Sequence, residues 1–293
     1  MRITEALMTE NLISNTGSSS ASYNNTLNQL SSGKRINQAS DDPAGTAKAL
    51  ALQGMISDMD QYSRNSDSAK SFLQYSDSQL GSVTNLIQQA RQVAVAAANG
   101  ATGDSTTQAA YSAQVDAIIN QITQLANSDI NGRRLFSGTA TNTDAFDASD
   151  ATHAYKGNSG ALNAQIAPGV SLQINTPGDS VFSGIFSSLE ALKSDIQNGN
   201  YTSISNNGIA GMDSSLNAVL TTRATIGNKL NQVSDTADRI QTSQLSLQDQ
   251  LSTVEDVDLA TTYANLQLAQ NVYQASLSAT SKALQYSLVD YIK

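Results

Sequence analysis

His153 is the only histidine in the chain, and cysteine is absent. Few catalytic or metal-binding roles are filled by one histidine. The helical zinc-protease pattern needs two on one face and cannot exist here. His153 sits in Ala151-Thr152-His153-Ala154-Tyr155 and reads as a surface or structural residue. Without cysteine there is no disulfide or thiolate chemistry. Three acidic groupings remain: Asp41-Asp42, Asp144 with Asp147, and Glu255-Asp256. Helix caps, solvated surface and a helix start explain them with less than calcium binding or general-acid work. Gly157-Asn158-Ser159-Gly160 has the spacing of a turn and lacks the Lys-Ser/Thr ending of a phosphate loop. The sequence therefore predicts a protein that is not an enzyme and holds no cofactor or metal.

What the chain offers instead is helix surface. Residues 254–293 contain almost no glycine or proline, and no charged residue lies between Asp258 and Lys282. On a helix at about 100° per residue the apolar residues fall on two faces. Val257, Ala260, Ala264, Leu268, Val272, Ala275, Ala279, Ala283 and Tyr286 make one; Leu259, Leu266, Tyr273, Leu277, Leu284, Leu288 and Tyr291 make the other. An ordinary surface helix needs one apolar stripe. A helix with two needs two sets of neighbours, and a second copy of the chain can supply one of them. The alternatives are a central helix wrapped on all sides in a monomeric bundle and a membrane span. Thr261, Thr262, Asn265, Gln267, Gln270, Asn271 and Gln274 argue against the span. The expected subunit-packing residues are Leu259, Ala264, Leu266, Leu268, Val272, Tyr273, Ala275, Leu277, Leu284 and Leu288, with Leu27 and Leu30 near the other end.

Charged residues make up 14% of the 293 residues and the net charge is −9, with no basic run longer than a pair. Phosphate neutralisation needs clustered Lys and Arg, so nucleic acid is excluded as an expected partner. Glu5 and Glu10 interrupt the place where a cleavable signal would have its apolar run. Export, if it occurs, is expected without cleavage and without membrane insertion.

Residues 11–33 are uncharged and rich in Ser, Asn and Gly, which form helix poorly. This segment should be helical only when covered, and the C-terminal helix is the obvious cover. Ser31 to Ala44 reads as a linker ending in a helix start, with Asp41 or Asp42 as cap and Pro43 in the first turn. From 43 to 98 apolar or small residues recur at 3,4 spacing through Leu52, Met55, Met59, Tyr62, Ser66, Ala69, Leu73, Ser76, Leu80, Val83, Ile87, Ala90, Ala94 and Ala97. A shorter helix follows Asp104, and Arg134 to Gly138 reads as a strand. A hairpin turning at Pro168-Gly169 is expected inside a small β-rich insertion, 139–181, whose removal should leave the helices intact. A second long seam runs from Ile209 to Val254, broken only by Arg223 and Gln244. Arg223 is either a register-setting ion pair or a side chain snorkelling to solvent. The fold class is thus mainly α, a coiled-coil bundle of long antiparallel helices made by both ends of the chain. The expected divisions are 1–42, 43–138, 139–181, 182–253 and 254–293.

Three motifs resemble the flagellin superfamily: Leu30-Ser31-Ser32-Gly33-Lys34-Arg35-Ile36-Asn37 with Ser40-Asp41-Asp42-Pro43-Ala44, Asn131-Gly132-Arg133-Arg134-Leu135-Phe136-Ser137-Gly138, and Arg223-Ala224-Thr225-Ile226-Gly227. Ser32, Gly33, Arg35, Ile36, Asn37, Asp41, Asp42, Pro43 and Arg223 carry the signature. The start Met1-Arg2-Ile3-Thr4 and the end Leu288-Val289-Asp290-Tyr291-Ile292-Lys293 are similar to the members at the junction of flagellar hook and filament. The resemblance implies a structural adapter, exported uncleaved by the flagellar type III route and shielded beforehand by a cytoplasmic chaperone. It would form a ring of identical subunits between the first hook-associated protein and flagellin. The rival readings are a filament flagellin, an enzyme on a flagellin-like frame, and a helical bundle that binds other helices inside the cell.

Overall fold

The structure is a computed structural model that describes residues 2–99, 104–147, 150 and 152–291, with the side chains of 2–6 and 284–291 outside the description. In chain order the elements are α1 (Arg2–Ser32), α2 (Pro43–Asn99), α3 (Ser105–Ala126), β1 (Asp129–Ile130), β2 (Arg133–Arg134), β3 (Asn163–Ala167), β4 (Val170–Gln173), α4 (Gly184–Gln197), α5 (Tyr201–Ser203), α6 (Ile209–Glu255) and α7 (Leu259–Tyr291). They divide into two units, Met59–Thr242 and the pair Met1–Asp58 with Ser243–Lys293.

The unit Met59–Thr242 holds the core. The 3,4 repeat of α2 buries Ser66, Ala69, Leu73, Ser76, Leu80, Val83, Ile87, Ala90, Ala94 and Ala97, and that of α6 buries Met212, Val219, Ile226, Val233 and Ile240. Two ion pairs fix the direction. Arg223 grips Asp77 through Nε and Nη2, at 2.8 and 3.2 Å, and Arg91 Nε lies 2.6 Å from Asp213. As the α2 number rises the α6 number falls, so the helices are antiparallel. The two-pronged grip settles Arg223 as an ion pair whose fork matches a carboxylate. The guanidinium lies over Gly81, with its carbon 3.8 Å from where a Cβ would stand. α3 starts at Asp104, whose carboxylate accepts the Thr107 amide. It adds Val115, Ile118, Ile119 and Ile122 to the core.

Asn131 and Gly132 both have positive φ, 53° and 76°. That geometry closes the two-residue turn between β1 and β2. The strand expected from Arg134 to Gly138 stops at Arg134. Leu135, Phe136 and Ser137 are all fully buried, and their backbone bonds run to separate loop residues instead of one partner strand: Leu135 N to Ser128 O, Gly178 N to Phe136 O and Asn158 N to Ser137 O. The insertion is also no appendage. Phe146 packs edge-on to Phe182 at 5.8 Å and tilted against Phe186 at 5.0 Å. Phe146, Ile166 and Leu172 belong to the same apolar cluster as the helices. The β3–β4 hairpin turns at Gly169, with φ 71°, and has a register shift between Gln165 and Ala167. His153 stacks on Phe186 at 4.7 Å and its Nδ1 is 2.8 Å from Glu190 Oε1, a structural role.

The other unit is built differently. Its buried apolar residues among those described are Ile36, Ala49 and Leu52. Met55, expected on the seam, is half exposed because nothing covers it there. Asp42 is the cap of α2, accepting the Gly45 amide at 2.9 Å, and Asp41 accepts the amides of Asn37 and Gln38. α1 packs along α7.

Candidate assembly surface

Two contacts set the α1–α7 register. Tyr23 stacks on Tyr273 with ring centroids 6.1 Å apart, and Thr16 Oγ1 lies 2.8 Å from Thr280 Oγ1. Seven residues down α1 correspond to seven up α7, so this pair is antiparallel as well. The covered stripe of α1 is Thr9, Leu12, Thr16, Ser19, Tyr23, Thr26 and Leu30; that of α7 is Thr262, Leu266, Ala269, Tyr273, Ser276 and Thr280. Both have heptad spacing, but most of their members are hydroxylated or small. The pair therefore spends few apolar side chains on its own seam.

The large apolar residues face outward. Among the described residues, the exposed large hydrophobics of the core-bearing unit are Tyr75, Val170 and Leu220, and all the others fall in the terminal unit. α7 exposes them on two flanks of its seam. One flank carries Ala264, Leu268, Val272, Ala275 and Ala279, with Leu268 63% and Val272 49% exposed. The other carries Leu259, Tyr263 and Leu277, all exposed. On α1, Leu7, Met8, Ile13 and Leu27 are exposed, while Leu30 is half covered.

The structure thus splits the expected face of Leu259, Leu266, Tyr273 and Leu277: Leu266 and Tyr273 turn toward α1, and Leu259 and Leu277 do not. α7 is three-sided, with one side covered. The side chains of Leu284 and Leu288 lie outside the described residues. A wrapped central helix is excluded by the two open flanks. Among the described residues, no helix is long and apolar enough to cross a membrane.

A polar elbow aims the pair. α1 ends at Ser32, Gly33 turns the chain with φ 71°, and Lys34 bridges antiparallel to Asp256. Arg35 N donates to Glu255 O at 2.6 Å, and Val257 N donates to Gly33 O at 3.1 Å. The Arg35 guanidinium reaches Val254 O at 2.8 Å and Asp42 Oδ2 at 3.3 Å. Asn37 Nδ2 donates to Lys34 O, and Ile36 is buried. A Cβ on Gly45 would lie 2.7 Å from Ile36 Cδ1 and 2.4 Å from Asp42 Oδ2, so a side chain there would push the capping carboxylate and Ile36 aside. The signature residues Ser32 to Asp42 are therefore one joint. Asp258 restarts the helix beyond it, accepting the Ala260 amide at 3.0 Å.

The electrostatics of the elbow are those of capping carboxylates. The Gly45 amide, aided by the Arg35 guanidinium, holds Asp42 below the usual carboxylate value. The Thr261 hydroxyl and amide, then the Ala260 amide, do the same for Asp258. The acidic groupings have partners: Asp144 pairs with Arg134, Asp147 with Lys156, and Glu255 with Lys34. Among the described residues, no three His, Cys, Asp or Glu side chains could hold a metal ion. Sequence reasoning missed Tyr263, Lys34, Gln53 and the Glu255 side chain. Tyr263 was findable, since it lies four residues beyond Leu259 on one flank. The elbow partners are far apart in the chain and left no local signal.

Residues 3–141 match the model of the bacterial flagellin N-terminal helical region, and residues 209–292 that of the bacterial flagellin C-terminal helical region. Flagellar hook-associated protein 3 of Salmonella typhimurium is 29% identical over 304 residues, covering 94% of this chain and 95% of that one. A flagellin of Listeria innocua is 27% identical over 263 residues, covering 88% and 86%. The solved structure of flagellar hook-associated protein 3 from Legionella pneumophila superposes with a TM-score of 0.64 at 14% identity, over 70% of this chain and 98% of that one. At that identity the likeness is one of fold.

Proposed function

The chain belongs to the bacterial flagellin family, whose two helical regions it carries at its two ends, and we propose that it is the structural adapter that joins the flagellar hook to the flagellin filament. The observation that carries this reading is α7, whose two apolar flanks stay exposed while α1 covers only its third, more polar side. Full burial of a Leu or Val side chain stabilises by roughly 1.5–3 kcal/mol, and each copy exposes several such residues along parallel lines. Neighbouring copies supply the missing cover. The two flanks differ, one lined by Ala, Leu and Val and the other by Leu and Tyr. Unlike flanks favour a head-to-tail contact, which closes into a ring when the rotation per subunit allows it. The partners on either side of the ring are the first hook-associated protein and flagellin, and contact with both is helix on helix.

The role is non-enzymatic, and the protein works at the flagellum. It travels there by the flagellar type III route with its ends uncleaved, after a cytoplasmic chaperone has shielded the α7 region. Order in the terminal helices is completed at assembly, as in coupled folding and binding.

A filament subunit is the second reading, favoured by the likeness to the Listeria innocua flagellin. Copy number in purified flagella separates the two, because a filament protein dominates and a junction protein is scarce. The decisive experiment deletes the gene. Cells with hooks but no filaments, shedding flagellin monomer into the medium, support the adapter; normal filaments overturn it.

A further inference from the structure

The elbow contains one carboxylate that touches two separate stretches of chain. Glu255, the last residue of α6, has a side chain only 11% exposed. Its Oε1 lies 2.5 Å from Lys34 Nζ, beyond the end of α1, and its Oε2 accepts from Gln53 Nε2 of α2 at 3.3 Å. Its backbone oxygen takes the Arg35 amide at 2.6 Å. All these residues belong to the terminal unit. The geometry points to Glu255 as the positioning residue of the assembly surface: through Lys34 it fixes the direction in which α1 and α7 leave the first turns of α2 and the last turn of α6.

Apolar restraint on the joint is scarce. Few apolar residues among those described are buried in this unit, so packing alone leaves the joint free to swing. Backbone bonds at Gly33, Arg35 and Val257 hold the two crossing segments together, and the Arg35 guanidinium adds bonds to Val254 O and Asp42. The Lys34–Glu255 pair and the Gln53 contact add a tie from the end of α6 to the segment after α1 and to α2, which restrains the swing. A charge-assisted bond suits this task because it is directional, and here its carboxylate end is nearly covered while Lys34 stays half exposed. Assembly requires the open flanks of α7 to meet those of neighbours at one angle, so a slack joint lowers the fraction of copies ready to dock.

This inference rests on the adapter reading, and the test separates the two. A strain lacking the native gene is complemented with the full chain carrying Glu255→Gln, Lys34→Met, the exchange Lys34→Glu with Glu255→Lys, or Leu268→Asp as a reference. The measurements are the amount of the chain exported, the share of cells with filaments, and flagellin shed into the medium. Glu255→Gln and Lys34→Met should be exported normally yet leave about tenfold fewer cells with filaments, the shift expected from one charge-assisted hydrogen bond. The exchange should restore them, which a merely destabilised fold would not allow. Normal filaments with Glu255→Gln, while Leu268→Asp has none, overturn the positioning role and leave the adapter reading standing. Loss of filaments that the exchange does not rescue also overturns it. Normal filaments with Leu268→Asp overturn the adapter reading and this inference with it.

Discussion

Thr16 and Thr280 share a 2.8 Å hydrogen bond between their hydroxyl oxygens, at the middle of the α1–α7 seam. Thr16 also donates to Leu12 O at 2.8 Å. Its one proton is spent there, so Thr280 is the donor between the pair. A coiled coil of independent stability would put Leu, Ile or Val at such a place. Two threonines there hold the register and add little cohesion, which leaves the larger side chains on the outside for other copies.

Removing one partner of that bond should cost more than removing both. Thr16→Val leaves the Thr280 hydroxyl without its acceptor, a loss of about 1 kcal/mol. Amide hydrogen exchange along α1 and α7 of the full chain should quicken roughly fivefold. Thr16→Val with Thr280→Val should exchange as slowly as the native chain or more slowly. Equal protection in all three would show that the hydroxyl pair sets nothing.

Leu268 sits on an open flank of α7, so Leu268→Asp should leave the isolated chain's circular dichroism and melting unchanged. In an assembly it places a carboxylate where water is expelled, at a cost of roughly 3 kcal/mol or more. Sedimentation and electron microscopy of flagella should find the variant exported and no junction built. A fall in the monomer's own melting temperature would mean that Leu268 is covered within one chain.

Phe146 belongs to the insertion by sequence and to the core by contact. Phe146→Ala should destabilise the core-bearing unit by about 3–5 kcal/mol, which is roughly 10 °C in melting temperature for a unit of this size. The loss should show in helical circular dichroism, since the aromatic cluster and the helices share one core. A change confined to the insertion's own signals would make it a separate body.

Acid should melt the helix starts first. Asp42 and Asp258, through the amides and hydroxyls described above, and Asp104, chiefly through the Thr107 amide, sit below the usual carboxylate value. The unfolded chain takes up these protons before the folded one does as pH falls. The stabilisation is therefore complete above the ordinary value and is lost as pH drops through the lower, folded one. Helicity followed from pH 6 to pH 2 should fall below about pH 4. Asp42→Asn and Asp104→Asn, which keep a capping oxygen without a titrating one, should flatten the curve; an unaltered curve would place the acid sensitivity elsewhere.

Local pattern decided much of this protein. The 3,4 repeats of α2 and α6, a cap at Asp41 or Asp42, the helix start after Asp104, the turn at Asn131-Gly132 and the hairpin at Pro168-Gly169 are each readable over a few residues, because helix period and turn geometry are set by neighbours in the chain. The lack of clustered His, Cys and basic residues likewise bounds the chemistry from sequence. What period could not give was the choice of partner. α7 has apolar residues on more than one face, so its sequence does not say which side α1 takes; the Tyr23–Tyr273 and Thr16–Thr280 contacts decide that. Arg223 could have reached for solvent, and only the fold brings Asp77 beneath it. Lys34 and Glu255 stand 221 residues apart, and nothing near either announces the other. Period and capping are short-range physics, whereas pairing across the chain depends on which surfaces win the competition for burial, and that competition is settled only when the whole molecule has folded.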